Sequence, residues 1–165
     1  MENPNGHAPS QTVLINLRRI IQSIDLHSRD LVKRFGLTAP QLTILQEING
    51  APDISASALA RAVSLSPATV TGILERLESR GLIARHRSQA DRRKVHVQVT
   101  DKGRVMLDAA PPLMQESFTH QFNHLEPWEQ HMILAAVERI AAMMDARRID
   151  ASPFLATGPI DPGAS

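Results

Sequence analysis

The order of elements between Ser55 and Gly103 constrains this chain more than any other feature. Ser55 is a helix-capping residue ahead of a short stretch carrying Leu59, Ala62 and Val63, and Ser64-Leu65 makes a tight turn. Ser66-Pro67 then opens a second helix, with a capping hydroxyl followed by proline at the first helical position, where a missing N–H leaves no bond unmade. Gly81 ends that helix. Leu82 to Arg87 and Val95 to Val99 read as strands, the second alternating valine with His96 and Gln98, so that one face is buried. The tip between them, Ser88 to Lys94, is polar and basic. Thr100-Asp101 begins another helix, with Asp101 favourable at its positive end. Helix, turn, helix, strand, tip, strand is the order of a winged helix-turn-helix, a shape that fits a helix into the DNA major groove and a hairpin beside it.

Charge is distributed as that shape requires. Residues 76–104 hold nine basic side chains (Arg76, Arg80, Arg85, Arg87, Arg92, Arg93, Lys94, Lys102, Arg104) and three acidic ones (Glu78, Asp91, Asp101), a balance of +6 in a chain whose total is +1. A polyanion responds to the local patch, not to the total. Within the second helix Val70, Ile73, Leu74 and Leu77 form an inward face. The opposite face is Ala68, Thr71, Gly72, Glu75 and Ser79, flanked by Thr69 and Arg76. Small residues let the backbone sit deep in a groove, while Thr and Arg supply hydrogen bonds to base edges or phosphates.

The helical frame is read on either side. Residues 1–10 are expected to be a disordered arm. A helix over 11–35 carries the stripe Val13, Leu14, Leu17, Ile20, Ile21, Ile24, Leu31 and Phe35, spaced by three and four. Its length suggests a partner surface. Gly36 stops it, Thr38 and Gln41 form a capping box for the next helix, and Leu42, Leu45 and Ile48 are that helix's buried face. Pro111-Pro112 must break or kink the helix begun at Asp101, and its second part continues to about Asn123. Glu126-Pro127 opens a last helix to about Arg148, with Trp128, Met132, Ala135, Ile140 and Met144 near its apolar side. The expected organisation is mainly α, with about six helices and a two-stranded wing: a winged lobe over 36–100, dimerisation helices over 11–35 and 101–148, and a flexible tail over 149–165.

Composition removes several function classes. Aromatics make up 3% of the chain against 42% hydrophobic residues, so the core must be aliphatic. There is no cysteine, which excludes disulfides, thiol redox sensing and cysteine-based metal centres. No apolar run approaches the roughly 18 residues of a membrane span, and the N-terminus lacks an apolar signal core, so a cytoplasmic protein is expected. No Gly-rich phosphate loop and no convergent triad point to an enzyme, and no cofactor is expected. Glu116, His120 and His124 share one helix face at i, i+4, i+8; such a face can bind zinc, but a solvated or dimer-facing histidine pair is the default and no metal ligands are assigned.

The ordered string Leu59-Ala60, Ser66 to Thr71, Leu74 to Glu78, Gly81-Leu82-Ile83, Asp91-Arg92-Arg93 and Val99 to Gly103 resembles the MarR family of bacterial transcription regulators. Asp-x-Arg in the wing followed by Val-Thr-x-x-Gly is the most specific part, and the frame extends the likeness over about 11–148. The runs Ile20 to Ser28 and Gly36 to Leu42 are most similar to the branch that governs osmolyte (ectoine-type) synthesis. The resemblance implies a homodimer joined by the first and last helices, with a recognition helix from Ser66 to Arg80 in the major groove. The wing arginine of the family falls on Arg93, oriented by Asp91. Many members repress transcription and are released by small, often anionic aromatic ligands.

The expected DNA-binding set is therefore Ser66, Ala68, Thr69, Thr71, Gly72, Arg76, Arg85, Arg87, Asp91, Arg92, Arg93, Lys94 and Lys102, with Arg85, Arg87, Lys94 and Lys102 on phosphates and Thr69, Thr71 and Arg76 on base edges. Expected partners are a palindromic duplex, a second copy of the chain and a small effector, whose pocket would use Ile24, His27, Ser28, Leu45, Phe118 and Phe122. Two rivals stand beside this reading: a winged module that docks on protein, and a DNA-binding regulator triggered by metal.

Overall fold

The computed structural model describes residues 8–51, 54–87, 95–149 and 154–155, with the side chains of Arg87 and Val95 outside that description. Residues 1–7 of the expected arm, the tail from residue 150 apart from Phe154 and Leu155, and the wing tip carrying Asp91, Arg92, Arg93 and Lys94 lie outside the described residues, while Pro9 and Ser10, expected in the arm, form the start of the first helix. The chain forms two compact units, divided between Pro111 and Pro112.

The first unit begins with α1 (Pro9–Phe35), 27 residues and so about 40 Å long. Gly36 terminates it in the left-handed conformation, φ 65°, with its N–H on the Val32 carbonyl at 2.8 Å. Glycine adopts that conformation without the Cβ penalty of other residues. α2 (Ala39–Gly50) follows. Only half of its expected capping box forms: the Thr38 N–H donates to Gln41 Oε1 at 3.1 Å, while the Thr38 hydroxyl is buried without a hydrogen-bond partner.

β1 (Ile54–Ser55) leads into α3 (Ala56–Ala62), then α4 (Pro67–Ser79), β2 (Ile83–Arg87), β3 (Val95–Val99) and α5 (Asp101–Ala109). The capping logic holds here. Ser55 Oγ accepts from the Ala58 N–H at 3.2 Å, and Ser66 Oγ from the Thr69 N–H at 3.1 Å. The turn between α3 and α4 places Ser64 at φ 54°.

The two expected wing strands pair as β2 and β3, and β1 joins them in a three-stranded antiparallel sheet in the order β1-β3-β2. Ile54 lies opposite Val97 and Ser55 opposite His96, so β3 is paired on both edges; β2 runs from Ile83 opposite Val99 to Arg87 opposite Val95. Ser55 thus ends a strand and caps a helix at once.

The core of this unit is aliphatic, as composition demands. Leu37, Leu42, Ile44, Leu45, Leu59, Val70, Ile73, Leu77 and Leu82 have no exposed surface, and burying each contributes about 1.5–3 kcal/mol. Val70, Ile73, Leu74 and Leu77 form the inward face of α4 that their spacing predicts. One close approach fixes α5. A Cβ on the buried Gly103 would stand 2.2 Å from the Leu82 carbonyl oxygen and 2.6 Å from Val99 Cγ1, so only glycine lets the first turn of α5 meet the start of β2. Thr100 closes the same corner: its hydroxyl donates to the Gly81 carbonyl at 2.7 Å and accepts from the Gly103 N–H at 3.1 Å.

The second unit contains α6 (Met114–Asn123), α7 (Pro127–Met143) and a 3₁₀ turn over Ala146–Arg148. The expected count of about six helices becomes seven α-helices among the described residues. Pro111 and Pro112 cannot donate to the preceding turn, so the expected fifth helix is two separate ones. The last helix ends at Met143, short of the expected Arg148. The side-chain amide of Gln130 joins α7 to the end of α6 by donating to the carbonyls of Phe122 and Leu125 at 3.1 and 3.0 Å. Neither helix holds a buried residue; Leu113 and Phe154 are the buried ones of this unit among the described residues. No described helix is long and apolar enough to cross a membrane.

Candidate nucleic-acid interface

Because its four apolar residues point inward, α4 turns its other side to solvent. Ser66, Ala68, Thr71, Glu75 and Ser79 are exposed, and Thr69, Gly72 and Arg76 are half-buried. Glu75 and Arg76 apart, the outward face therefore bears short side chains, as the sequence pattern expects. Its four hydroxyl groups, those of Ser66, Thr69, Thr71 and Ser79, already have partners. The Thr71 hydroxyl donates to the Pro67 carbonyl at 2.8 Å, and the hydroxyls of Ser66 and Thr69 share a hydrogen bond of 2.8 Å. With its proton committed, Thr71 offers a base edge acceptor lone pairs and a methyl group.

The positive patch counted along the sequence is partly engaged inside the molecule. Arg85 falls on the same strand parity as buried Ile83, so the pleat turns it inward. Its Nε stands 3.0 Å from Glu78 Oε2 of α4, and its side chain is 26% exposed. Lys102 donates its ammonium to the Arg80 carbonyl at 2.7 Å. Arg80 donates from both guanidinium ends to the carbonyls of Gly36 and Phe35. Arg104 donates to the Val99 carbonyl at 3.3 Å and stands 3.6 Å from Asp101. Arg85, expected on a phosphate, is thus ion-paired within the lobe, and Lys102, expected likewise, is hydrogen-bonded within it. The internal role of Arg85 was legible in its parity with Ile83; those of Arg80 and Lys102 carry no local sequence signal. The expected contacts at Asp91, Arg92, Arg93 and Lys94, and the side chain of Arg87, lie outside the described residues.

The expected effector residues occupy different environments. On α1, Ile24, His27 and Ser28 are half-buried. The Ser28 hydroxyl donates to the Ile24 carbonyl at 2.8 Å, and His27 Nε2 is buried with no hydrogen-bond partner among the described residues. Leu45 has no exposed surface. On α6, the rings of Phe118 and Phe122 stack with centroids 5.6 Å apart, and Phe118 is exposed. Glu116 spends one carboxylate oxygen on the Leu113 N–H at 3.1 Å, and the rings of His120 and His124 lie 4.4 Å apart. No group of three or more metal-ligating side chains converges among the described residues.

Comparison with known proteins gives this geometry its family. The sequence model of the MarR family matches residues 37–95, from the start of the lobe to β3. The transcriptional regulator HosA of Escherichia coli is 32% identical over 104 residues, covering 63% of this chain and 77% of that one. The chain belongs to the MarR family. The HTH-type transcriptional regulator PecS of Dickeya dadantii is 29% identical over 147 residues, 80% of this chain and 89% of its own. Among solved structures, Bordetella bronchiseptica BpsR, whose DNA binding is regulated by 6-hydroxynicotinic acid, is 29% identical with a TM-score of 0.55, covering 82% of this chain and 96% of that one. MarR-family proteins are non-enzymatic, DNA-binding transcription regulators with a winged helix-turn-helix, and this MarR-type chain is one of them.

Proposed function

We propose that this protein is a homodimeric, sequence-specific repressor that binds a palindromic operator in the cytoplasm and is released by a small effector. The exposed, short-side-chain face of α4 carries the reading. Ala68, Thr71 and Gly72 let the helix backbone approach base edges, with Ser66, Thr69 and Arg76 at its flanks. Arg92, Arg93 and Lys94 at the wing tip supply cation density to the adjacent minor groove, with Asp91 orienting Arg93. Arg87 adds a phosphate contact. Arg85, matched by Glu78, holds β2 to α4, and Lys102 reaches a phosphate only by sharing or leaving the Arg80 carbonyl.

The dimer reading rests on apolar surface. On α1, Ile20 and Ile21 are 56% and 60% exposed; on α7, Trp128 and Val137 are 65% and 58% exposed. A second copy covers such surface and gives the protein the two-fold symmetry of a palindrome, with half-sites about 10–10.5 base pairs apart. The effector reading rests on His27. A buried ring nitrogen lacking a partner is a place for a ligand's polar group, and regulation of BpsR by 6-hydroxynicotinic acid supports a small aromatic acid.

The test is selection of genomic fragments with the purified protein, followed by anisotropy titrations of a retained fragment across salt. The affinity should fall linearly on logarithmic axes, with a slope of about −0.9 for every phosphate neutralised. Retention of no fragment, or a flat salt dependence, removes the reading.

A further inference from the structure

Arg80 joins three helices, and neither the family assignment nor the expected DNA contacts use it. It stands at the C-cap of α4, immediately after the recognition face. Its side chain crosses to the end of α1, where Nη2 donates to the Phe35 carbonyl at 2.9 Å and Nη1 to the Gly36 carbonyl, partners 45 and 44 residues away. Its own carbonyl receives the Lys102 ammonium from α5 at 2.7 Å. The last carbonyls of a helix have no intrahelical donor and carry the negative end of its dipole, so a cation that bonds two of them is favoured twice. The planar fork of guanidinium suits two adjacent carbonyls; an ammonium has the charge but not that geometry. Gly36 leaves room for the grip, since a Cβ there would come 3.0 Å from Nη2.

We propose that Arg80 is a positioning residue that holds the C-terminal end of the recognition helix against the end of α1, and that it sets the sequence specificity of DNA binding without touching DNA. The inference rests on the DNA-binding reading above. Both ends of the guanidinium are occupied and the residue is half-buried, so its charge belongs to the α1 terminus and not to a phosphate. A recognition helix loosened at this end still lies in a positive field, but its base-contacting residues lose their register.

The experiment compares wild type, R80Q and R80K on a duplex retained in the genomic selection and on a shuffled duplex of the same composition, across salt and well below each variant's Tm. Both variants are expected to lose about tenfold on the retained duplex, the scale of a lost charged hydrogen bond. Binding to the shuffled duplex and the salt slope should stay as in wild type. Equal weakening on both duplexes with a shallower slope makes Arg80 a phosphate contact and overturns the proposal. Wild-type behaviour of R80K shows that charge alone suffices and also overturns it. A lowered Tm with an unchanged ratio between the two duplexes reduces Arg80 to a structural residue, with the same result. If R80Q does not fold, R80K carries the test. If R80K does not fold either, Gly36→Ala, which presses on Nη2 with the arginine in place, must narrow the ratio, and an unchanged ratio sinks the proposal. Wild type that retains no fragment at all defeats the DNA-binding reading itself, an outcome recognisable before any variant is made.

Discussion

The lobe that carries α4 and the pair α6 and α7 treat apolar surface in opposite ways. In the lobe, every inward residue of α4 is sealed, and α2, α3 and the sheet supply further fully buried leucines, isoleucines and valines. In α6 and α7 no residue is buried, and Trp128, Met132, Leu134 and Val137 lie more than half exposed. Exposed apolar surface of this extent, spread around a helix, is what a partner would cover. The lesson is a division of labour. The lobe buries its own apolar residues and can present a fixed reading face, whereas the apolar residues of α7 are left exposed, as the proposed dimer requires.

That contrast can be broken from either side. The largest effect is expected in the lobe: Leu77→Ala leaves a cavity beneath the recognition helix and should cost about 2–5 kcal/mol, measured by urea denaturation. Retained stability in that variant would mean that the lobe core is looser than its burial indicates. On the other side, the pair Met132→Glu and Val137→Glu should leave the helical circular dichroism intact and shift the protein towards monomer in sedimentation. Its dimer dissociation constant should rise about 100-fold or more, on the scale of lost interface anchors. An unchanged mass would assign the α7 face to something other than a second copy. The smallest effect sharpens the comparison within α4 itself. Ser66→Ala removes the cap at 3.1 Å and should cost about 1 kcal/mol in stability, while also weakening binding through the freed Thr69 hydroxyl.

Much of the lobe was legible because its signals are local. A serine followed by an apolar-periodic run is a cap whatever the rest of the chain does, and Ser55, Ser66 and Thr100 all cap as their positions imply. The inward face of α4 followed from spacing, and the end of α5 from two prolines. β1 was not legible, since two residues have no period and Ile54 and Ser55 become a strand only because β3 offers an open edge. Thr38 misled for a related reason. Its Gln41 half of the capping box forms, yet its own buried hydroxyl makes no hydrogen bond. For the site, the small outward face of α4 was readable, but the engagement of Arg80 and Lys102 was not. Their partners lie 44–45 and 22 residues away, and a count of charges along the chain cannot tell a cation facing solvent from one holding a helix end.

The proline pair between α5 and α6 has a consequence for how such a chain can change over generations. In an uninterrupted helix each added or lost residue rotates everything downstream by about 100°, so an insertion scrambles which side chains face where. Pro111 and Pro112 cancel that bookkeeping. A residue gained or lost between Ala110 and Leu113 would therefore leave Gly103 in its seat and Phe118 and Phe122 in their stack.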